Sequence, residues 1–92
     1  MLIGYGVLGS ELLVDLEAAG ATVEVILDDR FEELGDEPRI LGPISSLETV
    51  LEDHDVDLLV VGASLITAVT INWLNRHAHR QNLPIYVAPE RS

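Results

Sequence analysis

The stretch Gly4-Tyr5-Gly6-Val7-Leu8-Gly9 decides the fold of this chain. It follows the apolar pair Leu2-Ile3 and opens a leucine-rich run that ends at Gly20, which is the order strand, G-x-G-x-x-G turn, helix. In this motif the first glycine permits a tight turn, the second lets the backbone approach a pyrophosphate, and the third lets the helix pack closely on the sheet. The amides of residues 7–9 would open the helix as unpaired donors at the positive end of its dipole, a suitable place for an anion.

An acidic residue stands at the position that a dinucleotide site requires. Asp28 ends a second apolar run and lies 19 residues after Gly9, where a carboxylate accepts hydrogen bonds from a ribose diol. Asp28 and Asp29 disfavour a 2′-phosphate, so NAD is predicted over NADP, although Arg30 could pair with such a phosphate. The alternative is a Rossmann-like fold that keeps its glycines for packing and has an empty crevice.

Apolar runs alternate with helical patterns along the rest of the chain. After a helix over 7–19, capped at Gly20, strands are predicted at Thr22–Leu27, Arg39–Leu41, Asp57–Gly62 and Pro84–Ala88. Phe31 and Leu34 could hold one helical turn in an abbreviated crossover. A capping box of Ser45 and Glu48 opens a helix that ends near Asp53, and the longest helix runs from Leu65 to about Gln81.

The predicted fold is α/β, a Rossmann-like open parallel five-stranded sheet of order 3-2-1-4-5 with helices on both faces. Residues 1–92 are predicted to form a single dinucleotide-binding domain. The first strand is short, which favours a fragment of a longer protein over a native short start.

A ligand crevice is expected above the carboxyl ends of the first and fourth strands, where the strand order reverses. The glycine-rich turn forms one wall and the segment after the fourth strand forms the other. Ser64 in that segment has two open roles, as a donor to a phosphate or ribose or as the cap of the next helix. The predicted binding site comprises Gly4, Tyr5, Gly6, Val7, Leu8, Gly9, Asp28, Asp29, Arg30, Gly62, Ala63 and Ser64.

The charge of the chain is strongly negative. Sixteen acidic residues face five basic ones, all arginine, for a net charge of −11, which argues against DNA, RNA or an anionic membrane as a partner. A lysine-free acidic surface is typical of adaptation to high salt, with an ordinary acidic domain as the alternative. The chain has no cysteine, no signal peptide and no apolar run near the ~18 residues of a membrane span, so a cytoplasmic location is predicted.

Groups that would support catalysis are missing from the sequence. Without lysine there is no Walker A loop, no Tyr-x-x-x-Lys pair and no Schiff base. His54 lies in an acidic run, and His77 and His79 are two apart on a helix, so they point to different faces and form no metal pair. The domain is therefore predicted to bind a ligand without catalysing a reaction and without a metal.

The longest helix is apolar on more than one stripe, from Leu65 through Val69 to Leu74. A helix on a sheet needs only one such stripe, so the surplus is a candidate contact for a second subunit or for missing parts of a parent chain, with Trp73 as its anchor. Burial of the whole helix by its own domain is the alternative.

The chain resembles the potassium-conductance regulator family, the RCK or TrkA-N domains of potassium channels and transporters. The resemblance rests on Leu2–Gly9, the acid at Asp28 and the final Asn82–Val87, and it covers nearly the whole chain loosely. It implies a regulatory domain that binds NAD(H) or another adenine nucleotide such as AMP or ATP, forms a homodimer and controls potassium transport. By position, Gly4, Gly6 and Gly9 would hold phosphates and Asp28 the adenosine ribose.

A second resemblance comes from the middle of the chain. Gly42-Pro43-Ile44 replaces the Gly-Asp-Ala segment common in the first family, and the link from Asp28 to Gly42 is short. Asp28-Asp29, Leu41-Gly42, Asp55-Val56-Asp57 and Pro89 instead resemble the N-terminal nucleotide-binding domains of polysaccharide-biosynthesis enzymes. That resemblance implies a nucleotide or nucleotide-sugar ligand and a catalytic domain elsewhere in the parent protein. A ligand-free structural interaction module is the third hypothesis.

Overall fold

The computed structural model describes residues 1–34, 37–62 and 67–88, with the side chains of residues 6–8 outside the description. In chain order the elements are β1 (Leu2–Ile3), α1 (Gly6–Ala18), β2 (Ile26–Leu27), β3 (Ile40–Gly42), a 3₁₀ turn (Ile44–Ser46), α2 (Leu47–Asp53), β4 (Leu59–Gly62), α3 (Ala68–Arg80) and β5 (Ile85–Ala88).

All five strands form one parallel sheet in the order β3-β2-β1-β4-β5, as the sequence predicts. β1 lies at the centre, with Leu2 opposite Ile26 on one side and opposite Val60 on the other. The order reverses between β1 and β4, so the carboxyl ends of these two strands flank the predicted crevice.

The two faces of the sheet are covered by different helices. Alternate strand residues point to opposite faces, so Leu2, Ile26 and Val60 pack with Leu13 of α1. On the other face, neighbouring strand residues such as Ile3 and Val61 pack with α2 and with Leu74 of α3. Both clusters are almost fully shielded from solvent, which fits the unbroken apolar runs that predicted the inner strands.

The second strand is shorter than predicted. Only Ile26 and Leu27 pair as a strand, whereas residues 22–25 lie outside it, although Leu2 N–H donates to the Val25 carbonyl at 3.0 Å. A strand needs a neighbour along its length, and β1 offers Leu2 and Ile3 alone. In the link after Asp28, residues 29–34 form consecutive turns, and the Leu34 amide donates to the Arg30 carbonyl at 3.2 Å, which closes the single helical turn predicted at Phe31 and Leu34.

Two predicted helix starts are also corrected. Ser45 and Glu48 form no capping box, because a 3₁₀ turn precedes α2 and the Glu48 carboxylate instead contacts His77 of α3 at 2.7 Å. The helix predicted from Leu65 begins at Ala68, with Thr67 as its N-cap accepting from the Thr70 amide. By contrast, Gly20 does end α1 with a φ of 93°, as predicted.

Candidate nucleotide-binding site

The turn after β1 has the backbone geometry that its first glycine is expected to provide. Gly4 has a φ of 88°, in the left-handed region that favours glycine, and its amide donates to the Leu27 carbonyl at 2.8 Å. Continuing the register of β1 and β4 places Gly4 beside Gly62, the last residue of β4. Two buried glycines therefore meet at the reversal of the strand order, where neither adds a side chain to the space between the two strand ends.

Helix α1 begins directly after this turn, with Tyr5 at the N-cap and Gly6 as its first residue. The Tyr5 side chain makes no capping hydrogen bond, and no acidic residue lies in the first turn of α1. The first amides of a helix have no partner within it, so the amides of residues 6–8 form a cluster of donors at the positive end of the dipole. An anion such as a phosphate suits this place.

The predicted ribose acid, Asp28, has structural partners. Its side chain is buried, with the residue 5% exposed. One carboxylate oxygen accepts from the Tyr5 amide at 2.6 Å and the other from the Arg30 amide at 2.7 Å. Asp28 thus ties the glycine turn to the end of β2. A carboxylate has lone pairs for about four hydrogen bonds, so each oxygen keeps acceptor capacity for a ligand hydroxyl.

Asp29 and Arg30 extend this corner toward solvent. The Arg30 side chain is about half exposed, and its Nε lies 3.5 Å from Asp28. Asp29 is exposed, and its Oδ1 accepts from the Ile44 amide at 2.9 Å. That bond joins the loop after β2 to the loop after β3 at the same edge of the sheet.

A cleft of ≈ 340 Å³ adjoins Asp29 on the face covered by α2 and α3. Its lining consists of Asp29, Ile44, Ser45, Val69, Thr70 and Trp73. Trp73, predicted as an outward contact, is half buried against the core, and its ring lies tilted by 43° against that of His77 with ring centroids 4.2 Å apart. Val69 is 78% exposed, so this cleft combines uncovered apolar surface with a carboxylate. Ile44, Ser45 and Thr70 were absent from the predicted site; the signal that could have identified the first two is their position just after β3.

The second predicted wall is described only in part. Gly62 is buried at the end of β4, whereas Ala63 and Ser64 lie outside the described residues. The role of capping the next helix, which was one alternative for Ser64, belongs to Thr67.

A cleft of similar volume, ≈ 320 Å³, lies at the opposite, amino edge of the sheet. Glu24, Asp55 and Asp57 line it, so it is unsuited to a phosphate. Among residues 1–34, 37–62 and 67–88 no group of three or more metal-ligating side chains comes together. No helix in the same ranges has the length and apolar character to cross a membrane.

Comparison with protein-family models, with curated proteins and with solved structures finds no match to this chain. The strand order and parallel pairing alone define the fold as a Rossmann-like α/β sheet.

Proposed function

We propose that this chain is a non-catalytic, regulatory nucleotide-binding domain whose ligand is NAD, NADH or an adenine nucleotide such as AMP or ATP. The observation that carries the proposal is the uncapped N-terminus of α1, which directly follows a left-handed Gly4. The chain has sixteen acidic residues, yet none lies in this first turn, where a carboxylate would stabilise the helix. The donors therefore remain available to a phosphate.

The cleft beside Asp29 supports a nucleotide over a simple phosphate. Asp28 is bonded to the glycine turn, and its neighbour Asp29 lines the cleft. A ligand with its phosphates at the N-terminus of α1 would therefore have an apolar surface and a carboxylate at the same edge of the sheet. Apolar walls suit a base, and a carboxylate can accept from the amino group of adenine. Asp28 and Asp29 still favour NAD over NADP.

Regulation is favoured over catalysis by the positions of the three histidines and by the composition of the chain. His54 ends α2 and His77 and His79 lie on the last turns of α3, so all three belong to helix ends that lead to the amino edge of the sheet. The chain has no lysine or cysteine. The control of potassium transport and a homodimer are the parts of the proposal that the family resemblance supplies.

The test is a thermal-shift panel in 2 M KCl with NAD, NADH, NADP, AMP, ATP and UDP-glucose. Ligand at 100 times its dissociation constant stabilises a fold by about 2.7 kcal/mol, which raises the Tm of a domain this size by on the order of 10 °C. The diagnostic variant is Gly6→Asp, which adds a carboxylate favourable to the helix and unfavourable to a phosphate. Ala68→Asp is the matched control, because it makes the same charge change at the first residue of α3.

A shift with NAD(H), AMP or ATP that disappears in Gly6→Asp and persists in Ala68→Asp supports the proposal. A shift with UDP-glucose alone would instead favour the second hypothesis, the N-terminal nucleotide-binding domain of a polysaccharide-biosynthesis enzyme. The absence of any shift would refute nucleotide binding and leave a structural interaction module. Asp28 variants are unsuitable here, since loss of the carboxylate also releases the glycine turn.

A further inference from the structure

A second surface of this chain has a chemistry opposite to the rest of it. A groove of ≈ 660 Å³ runs between the C-terminal half of α3 and residues 83–85, which lead into β5. Ala78, Leu83 and Ile85 form its apolar floor, and Arg76, His79 and Arg80 are exposed along its rim. None of the described residues that line it is acidic, although 16 of the 92 residues of the chain are acidic.

The arginines of this groove have no ion-pair partner within the described residues. Arg30 pairs with Asp28, and Arg39 pairs with Glu17 and Glu37, whereas neither Arg76 nor Arg80 does so. The two are four residues apart, so they share one side of α3. His79 and Arg80 lie in the last turn and complement the helix dipole, but Arg76 lies before that turn. The dipole therefore accounts for only part of this positive surface.

The groove continues into the free edge of the sheet. β5 is the last strand of the order, and among the described strands it pairs with β4 alone. The Leu59 amide donates to the Pro84 carbonyl, and backbone groups alternate along a strand. It follows that the N–H and C=O groups of Ile85 and Val87 point away from β4, toward the open edge. Such an edge accepts an additional strand.

The geometry points to a docking site for an extended acidic peptide segment of a partner protein. The segment adds to the edge of β5 through the backbone of Ile85 and Val87, and its carboxylates contact Arg76 and Arg80. Charge complementarity selects this occupant, since the two arginines of the groove match the few carboxylates of a short peptide, whereas a polyanion such as nucleic acid needs more cations than this groove holds. This site is separate from the glycine turn and does not depend on nucleotide binding.

The experiment uses fluorescein-labelled, end-capped octapeptides at 0.15 M KCl, where the Debye length of about 8 Å confines the interaction to nearby charges. The probe alternates valine and glutamate, and its neutral counterpart alternates valine and glutamine. The variant Arg76→Gln/Arg80→Gln removes two positive charges from the groove. Val14→Glu/Ala18→Glu is the matched control, because it makes the same change in net charge at two exposed positions on α1, across the sheet.

We expect the acidic peptide to bind and the arginine variant to weaken binding on the order of tenfold, as two surface ion pairs allow. The control should bind within about twofold of wild type, and bound peptide should slow hydrogen exchange at the Ile85 and Val87 amides. Absence of binding, equal binding of the neutral peptide, or equal weakening by the two double variants would each overturn the inference. Binding without protection of these two amides would refute strand addition.

Discussion

The Asp28 carboxylate should contribute more to stability than any other single acidic side chain near the site. It accepts two backbone amides, from Tyr5 at 2.6 Å and from Arg30 at 2.7 Å, while the residue is 5% exposed. A hydrogen bond to a charged group contributes roughly 1.5–3 kcal/mol, and burial of the charge offsets part of the sum. We expect Asp28→Ala to lower the free energy of unfolding by about 3 kcal/mol and Asp28→Asn, which keeps one acceptor, by about half as much.

The assay is urea unfolding at constant ionic strength, followed by the fluorescence of Trp73, the single tryptophan, and by circular dichroism. Asp29→Ala is the matched control. It removes the same charge from the neighbouring residue, but within the described residues that exposed carboxylate accepts a single amide, that of Ile44, so its loss should cost about 1 kcal/mol. Relief of charge repulsion is similar in both variants and cancels in the comparison.

The expected order of stability is wild type, Asp29→Ala, Asp28→Asn, Asp28→Ala. The Tm of Asp28→Ala should be lower than that of wild type by roughly 12 °C or more, since 1 kcal/mol corresponds to about 4–8 °C in a domain of this length. An Asp28→Ala protein no less stable than Asp29→Ala would refute the assignment of Asp28 as the residue that ties the glycine turn to β2.

Three further predictions concern positions outside the site. Leu74→Ala should cost about 3–4 kcal/mol in urea unfolding, because Leu74 is 0% exposed and its loss leaves a cavity; a cost under 1 kcal/mol would contradict this packing. Gly20→Ala should lower stability by about 1–2 kcal/mol because Gly20 has a φ of 93°, and Gly20→Asn should lower it by less. Nothing lies within 4 Å of an added Cβ, so a steric clash does not explain the cost. Equal costs for the two variants would contradict backbone strain as the cause. Hydrogen bonds from Arg39 lower the pKa of Glu37 below its ordinary 4.5, so this pair stabilises the fold above pH 4.5 and the contribution is lost as the pH falls through the lowered value. The difference in the free energy of unfolding between wild type and Glu37→Gln should be about 1 kcal/mol or less at pH 6 and should vanish at pH 3. A difference that grows as the pH falls would contradict the predicted direction.

The sequence by itself determined the architecture and the point at which the strand order reverses. Strand order and the reversal beside β1 follow from the alternation of apolar runs with helical patterns, because parallel strands joined by right-handed crossovers have few arrangements. Gly4 and Gly20 were also predictable, since their left-handed φ values are local backbone properties that few other residues adopt.

Only the tertiary structure decided which side chains and backbone groups pair across long separations. Asp28 bonds the Tyr5 amide 23 residues away, and Glu48 contacts His77 rather than a capping partner three residues before it. The same holds for the basic groove beside β5, whose rim and floor come from separate elements. A periodic pattern specifies which face of an element is apolar, but a hydrogen bond depends on distances of a few tenths of an ångström between segments that only the packed fold brings together.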